Sequence, residues 1–174
     1  MASTIAKEKP VAVVLIGGGA RSGKSRHALQ LARARGSRLA FIATATAMDE
    51  DYAARIARHK ADRGPDFRTV EEPIDVAGAI RNCDADAIVV DCLTLWLSNI
   101  FKRDIAAETE RLIAATHESK ATIIFVTNEV GCGIHPETAI GREFRDRAGI
   151  LNQRIGAAAD EVYLMAFGQP LRVK

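Results

Sequence analysis

An α/β fold, a mostly parallel sheet flanked by helices in a single domain, is predicted for this chain of 174 residues. Three observations carry the prediction. Short apolar runs rich in β-branched residues recur at 11–16, 38–44, 87–91 and 122–127, the pattern of strands buried on both faces. Helical stretches separate them, so consecutive strands run parallel with right-handed crossovers. A glycine-rich turn lies directly between the first run and the first helix.

The elements follow in order. Residues 1–10 are polar, end at Pro10 and read as a flexible extension ahead of a domain over 11–174. The run VAVVLI predicts the first strand. GKSRHALQLARAR predicts a helix with Ala28, Leu31 and Ala32 on its inner stripe and arginines at its end. RLAFIAT predicts the second strand. Asp49 or Asp51 then caps a helix that runs to Arg63 and stops at Gly64–Pro65. A short helix is predicted over 74–82, a third strand over 87–91, a helix from Leu93 and another from Asp104 to Ser119. TIIFVT is the fourth strand. The longest helix starts at Arg142, with Phe144, Ala148, Leu151, Ile155 and Ala158 on one face. Strands at 161–167 and 171–174 close the chain around a turn at Gly168, Gln169 and Pro170.

Composition excludes several classes. With 24 basic and 22 acidic residues the net charge is only +2, and aromatics are 5%, so neither a basic nucleic-acid surface nor a base-stacking platform is expected. The three cysteines, Cys83, Cys92 and Cys132, form no CxxC pair, which fits a reducing, cytoplasmic setting better than a disulfide or zinc scaffold. The N-terminus lacks the apolar centre of a signal peptide, and no run approaches the ~20 apolar residues of a membrane span.

The chemistry starts at Gly18-x-x-x-x-Gly23-Lys24-Ser25, the phosphate-binding loop pattern in its proper strand-to-helix context. Glycines let backbone N–H groups face phosphate oxygens, Lys24 adds charge, Ser25 offers a hydroxyl to Mg²⁺, and the helix N-terminus favours the anion. A P-loop NTPase-like, RecA-like sheet is the fold this implies. Asp91, at the tip of the third strand, fits two roles: a magnesium-binding carboxylate or the N-cap of the helix from Leu93. Asn128 and Glu129 follow the fourth strand and either face the site or form a plain connection. Glu129 stands where a guanine-selecting NKxD box has lysine. His59 sits among Arg55, Arg58, Lys60 and Arg63. On a helix it shares a stripe with Tyr52, Ile56 and Arg63, so packing against the core competes with a chemical role.

The segments GGARSGKSRHA, RIARHK, VVDCLTLWLSN and TNEVGCGIHPETAIGREFRDRAGILNQRIGAAADEVYL resemble the bifunctional adenosylcobinamide kinase / adenosylcobinamide-phosphate guanylyltransferase family, over about residues 12 to 174. The resemblance implies two reactions. ATP or GTP phosphorylates the aminopropanol hydroxyl of adenosylcobinamide; GTP then loads GMP onto an enzyme histidine, which passes it to the cobinamide phosphate. His59, before Lys60, matches the guanylylated histidine. Implied nucleotide contacts are Gly18, Gly19, Ala20, Arg21, Ser22, Gly23, Lys24, Ser25, Ala43, Thr44, Ala45, Lys60, Ala61, Asp62, Arg63, Glu71 and Asp91, with Mg²⁺ on Ser25 and Asp91. Some relatives carry Glu at the Asp91 position. The implied partners are a corrinoid and a nucleoside triphosphate, with self-association as a homo-oligomer such as a trimer. His27 and His135 match no catalytic role.

An imidazole suits the implied task where arginine does not. A neutral ring has a lone pair at a nitrogen, with an ordinary pKa of ~6.5, whereas guanidinium stays protonated. Neighbouring cations disfavour imidazolium and attract the triphosphate. Two other readings remain open at this point: a single-activity small-molecule kinase and a non-catalytic nucleotide-binding regulator.

Overall fold

The computed structural model describes residues 11–46 and 63–174. The N-terminal extension and the segment containing His59, Lys60, Ala61 and Asp62 lie outside the described residues.

Among the described residues seven strands form one sheet: β1 (Val13–Gly18), β2 (Leu39–Ala43), β3 (Phe67–Glu71), β4 (Ala87–Asp91), β5 (Thr122–Val126), β6 (Glu161–Ala166) and β7 (Gln169–Arg172). Their order is β3-β2-β4-β5-β1-β6-β7, parallel except for the antiparallel β6–β7 pair. Among the described residues five helices flank them: α1 (Lys24–Arg33), α2 (Val76–Arg81), α3 (Leu93–Asn99), α4 (Ile105–Glu118) and α5 (Ala139–Ala158).

Alternation along the strands divides the core between two faces. Val13 and Leu15, Ile88 and Val90, and Ile123 and Phe125 pack under α2, α3, α4 and α5. Val14 and Ile16, Val89, and Ile124 and Val126 pack under α1. Ile16, Ile88, Leu97 and Phe125 are among the fully buried side chains, each contributing about 1.5–3 kcal/mol by its burial. Trp96 is buried too, its indole N–H satisfied by the Ile74 carbonyl at 2.9 Å.

Local signals explain the helix starts. Asp75 accepts from the Gly78 N–H and Asp104 from the Ala107 N–H, each at 3.1 Å, as N-caps. Thr138 caps α5 by accepting from the Gly141 N–H, which starts that helix three residues ahead of the expected Arg142. Three further expectations are corrected. On α1 the buried apolar residues are Ala28, Leu29 and Ala32, with Leu31 only half-buried. On α5, Ala159 just past the helix end is buried and Ala158 is not. The last turn is Phe167–Gly168, both at positive φ (53° and 78°), so β7 begins at Gln169 and Pro170 lies within the edge strand. Two positive-φ residues between antiparallel strands make the turn whose twist suits a two-residue hairpin, and proline is tolerated on an edge.

The sequence pattern predicts no strand at β3. After the buried Phe67 its residues are exposed or half-buried, because β3 is an edge strand whose only sheet neighbour among the described residues is β2.

Candidate functional site

Parallel strands deliver their C-terminal ends to one edge of the sheet, where ligands of such folds bind. Here the ends of β1, β2, β3 and β4 bring together the phosphate loop, Ala43–Ala45, Glu71 and Asp91. Chain order reverses around β1: it connects onward across β5 and β4 to β2, while β5 connects through α5 to β6 on its other side.

The loop after β1 has the backbone its glycines allow. Gly23 lies in the left-handed region at φ 95° and heads α1 without a side-chain cap, leaving the N-terminal amides of α1 to a ligand. Gly18 has φ 149°, and a Cβ there would stand 2.9 Å from both the Met165 carbonyl oxygen and Ser22 Oγ. Arg21 adopts φ 57° at the loop tip. Ser22 Oγ is buried without a hydrogen-bond partner.

Lys24 is 7% exposed and donates from Nζ to the Gly19 carbonyl at 2.6 Å. Burial lowers its pKa, and the charges of Asp91 and Cys92 oppose that shift. Ser25 Oγ donates to Asp91 Oδ2 at 2.6 Å. The N-cap position of α3 belongs to Cys92, which makes no side-chain cap bond. The Cys92 thiol is itself no nucleophile, because burial and the nearby Asp91 push its pKa up to about 11.

Arg63 is 4% exposed, with its guanidinium carbon 3.9 Å from the centre of the Phe41 ring and Nη1 donating to Thr69 Oγ1 at 3.1 Å. Burial lowers its pKa; Asp91 and Glu71 pull it back up. The structure therefore brings Lys24, Ser25, Asp91, Arg63 and Glu71 into one electrostatic neighbourhood. Thr44 stands beside them with its hydroxyl already committed. It donates to the Cys92 carbonyl (2.8 Å) and accepts from the Cys92 N–H (2.7 Å), so its side chain joins β2 to β4.

Residues 127–129 also reach this edge. The Glu129 N–H donates to the Gly18 carbonyl at 3.1 Å, and the Asn128 N–H to Thr94 Oγ1 at 2.8 Å. Glu129 Oε1 accepts from the Gly131 N–H at 2.7 Å, so that carboxylate braces its own loop. The sequence pattern gave no sign of Thr94 or of Asn99, whose Nδ2 donates to the Thr44 carbonyl at 2.8 Å. Both lie on α3 and serve as scaffolding.

Two hard oxygen donors, Ser25 Oγ and Asp91 Oδ2, meet beside a buried ammonium. Such a pair fits Mg²⁺, which takes one or two protein oxygens and fills its remaining positions with phosphate and water. No cluster of three or more His, Cys, Asp or Glu residues suited to a metal occurs among the described residues.

Comparison with known proteins bears on this arrangement. Residues 14–173 match the family model described as cobinamide kinase / cobinamide phosphate guanyltransferase. The chain is 41% identical to the "Bifunctional adenosylcobalamin biosynthesis protein CobP" of Pseudomonas aeruginosa, covering 92% of this chain and 96% of the relative. It is 39% identical to the corresponding CobU protein of Salmonella typhimurium, covering 93% and 99%. In fold it resembles the flagellar accessory protein FlaH of Methanocaldococcus jannaschii, with TM-score 0.55 and 13% identity over 94% of this chain and 78% of that one. It likewise resembles the RadB recombinase, with TM-score 0.54 and 15% identity over 89% and 74%. These two likenesses speak to fold alone, and the fold is the P-loop NTPase sheet.

Proposed function

The chain belongs to the cobinamide kinase / cobinamide phosphate guanyltransferase family, and on that premise we propose how its residues divide the work. The protein is a bifunctional enzyme of adenosylcobalamin biosynthesis that uses nucleoside triphosphates. In the kinase reaction, the aminopropanol hydroxyl of adenosylcobinamide attacks the γ-phosphorus of ATP or GTP. Its proton is released, and the nucleoside diphosphate departs. In the second reaction, a neutral ring nitrogen of His59 attacks the α-phosphorus of GTP and pyrophosphate leaves. An oxygen of the cobinamide phosphate then displaces His59, giving adenosylcobinamide-GDP and restoring the imidazole.

The observation that carries this reading is the meeting of Lys24, Ser25 and Asp91 at the end of the phosphate loop. The amides of the Gly18–Ser25 loop hold the phosphates, and Lys24 places positive charge against the transferring group. Ser25 and Asp91 would hold Mg²⁺, which when bound neutralises phosphate charge. Arg63 and Lys60 stabilise the departing pyrophosphate. Splitting transfer into two displacements lets the acceptor enter after pyrophosphate has gone.

The test uses α-labelled GTP with Mg²⁺, followed by denaturation. The expected result is a label that survives alkali, is lost in acid and maps to the peptide containing His59. His59→Asn removes the label and GMP transfer, while cobinamide phosphorylation persists because the cradle is intact. A His59→Asn protein that still transfers GMP excludes the assignment. The reading includes self-association as a homo-oligomer. The exposed apolar residues Leu164 on β6, Leu171 on β7 and Val173 just past it support it, and sedimentation velocity checks it. Among the described residues no helix is long and apolar enough to cross a membrane.

A further inference from the structure

On the flank of the phosphate loop opposite β4, a cavity of about 320 Å³ opens between α1 and the β6–β7 hairpin. One wall is a single face of α1: Gly23, Arg26, His27 and Gln30, at i, i+3, i+4 and i+7. The opposite wall is Met165 with the hairpin residues Gly168 and Pro170. We propose that this cavity is the nucleobase subsite for the triphosphate that donates its γ-phosphoryl group in the kinase reaction, separate from the Ala43–Ala45 and Glu71 side where GTP is read for guanylyl transfer. The proposal rests on the two-reaction reading above.

Four observations carry it. Gly23 belongs both to the phosphate loop and to the cavity wall, so a ligand with its phosphates in the loop can extend its other end into the cavity. The volume lies at the small end of the about 300–1,000 Å³ range of ligand pockets, which suits a nucleobase and is too small for a corrin ring. The walls offer the chemistry of a purine in complement. Met165 and Pro170 present apolar surface to a flat face, and the Gln30 amide and Arg26 guanidinium present hydrogen-bonding groups to an edge. Finally, His27 is held edge-on by Tyr163, with ring centres 5.4 Å apart and planes at 71°, which fixes the ring as part of the wall.

Burial also lowers the His27 pKa, so the ring is neutral near pH 7 and can donate or accept according to tautomer. The Gln30 amide likewise carries both a donor and an acceptor. A subsite read by such groups accommodates either purine, so both ATP and GTP serve as phosphoryl donors. The opposite flank, beyond β5 at the ends of β4, β2 and β3, is lined differently, with the buried Arg63 and the carboxylates of Asp91 and Glu71. One phosphate loop is thus flanked by two chemically distinct recesses.

The experiment compares wild type with Gln30→Trp, an exposed position whose enlargement fills the mouth of the cavity, and with His27→Ala. Binding of AMP-PNP and of inorganic tripolyphosphate is measured by calorimetry with Mg²⁺. AMP-PNP affinity is expected to fall about ten-fold, while tripolyphosphate, which needs only the loop, changes by less than about two-fold. The KM for ATP in the kinase reaction rises by a similar factor. Unchanged AMP-PNP binding in Gln30→Trp overturns the proposal. So does a loss of GMP attachment to the enzyme equal to the loss of kinase activity, because one base site would then serve both reactions. Wild type that phosphorylates no cobinamide refutes the two-reaction reading instead, and the AMP-PNP comparison still decides whether the cavity holds a base.

Discussion

At the amino-terminal edge of the sheet, Asp86 accepts from the Ser37 and Arg38 N–H groups and from the Arg38 guanidinium. Asp160 ties down the start of β1 through the Val13 N–H at 2.7 Å. Arg33 pairs with Asp66, Arg81 with Glu118, and Arg35 with Glu161. Here the partners lower carboxylate pKa values and favour the charged forms. At the carboxyl-terminal edge the trend reverses. Burial lowers the pKa of Lys24 and Arg63, and Ser22 Oγ and His27 Nε2 are buried without hydrogen-bond partners. One edge holds charge where charge is comfortable; the other holds it where a phosphate ligand would relieve it. Stability and function are thus separated along the strand direction, the division expected when site residues are selected against the local optimum.

The sharpest way to break this contrast is Lys24→Met. It removes a buried ammonium while keeping an apolar stem of similar length. Kinase kcat/KM should fall by about 10²–10³-fold, the scale for losing one electrostatic stabiliser of a transition state. The melting temperature should hold or rise, because the cost of desolvating the charge disappears. A marked drop in melting temperature would mean that Lys24 is a structural residue.

A smaller effect is expected at Gly18. Gly18→Ala puts a Cβ 2.9 Å from the Met165 carbonyl oxygen at a φ of 149° that suits glycine. Backbone strain of roughly 1–3 kcal/mol distorts the loop and weakens triphosphate binding by about 5- to 150-fold. Titration calorimetry with GTP measures it, and wild-type affinity in the variant would show that the loop tolerates a side chain.

The amino edge gives the mildest test. The Asp86 pKa is lowered from 3.8 to about 2, first by the Arg38 backbone N–H, then by its guanidinium and the Ser37 N–H. The folded-state value lies below the unfolded one, so the contribution to stability is complete above 3.8 and is lost as pH falls through about 2. Asp86→Asn should therefore lower the melting temperature at pH 7 while leaving both transfer activities intact at 25 °C. Its melting temperature should also depend less on pH across that window than wild type does. Parallel acid curves for the two proteins would place the stabilisation elsewhere.

Much of the carboxyl edge was legible in the sequence, because its geometry is local. Gly18 to Ser25 encode a strand, a turn and a helix N-terminus within one short stretch, and Asp91 ends an apolar run. What the sequence withheld depends on contacts between distant segments. The cavity at His27 needs Gly168 and Pro170 from the far end of the chain, and no spacing rule connects them. The strand at Phe67–Glu71 shows no clean alternation because it borders the sheet and owes its extended form to β2. The turn before β7 was misplaced because Pro170 looks like a turn residue, whereas the hairpin is set by positive φ at Phe167 and Gly168.

The hydroxyl of Thr44 is donor and acceptor at once toward the backbone of Cys92, and Asn99 clasps the Thr44 carbonyl from the end of α3. The tips of β2 and β4 are thereby welded into a single stiff shelf. A displacement of one tip is therefore carried to the other and to α3, so these three elements respond as one body.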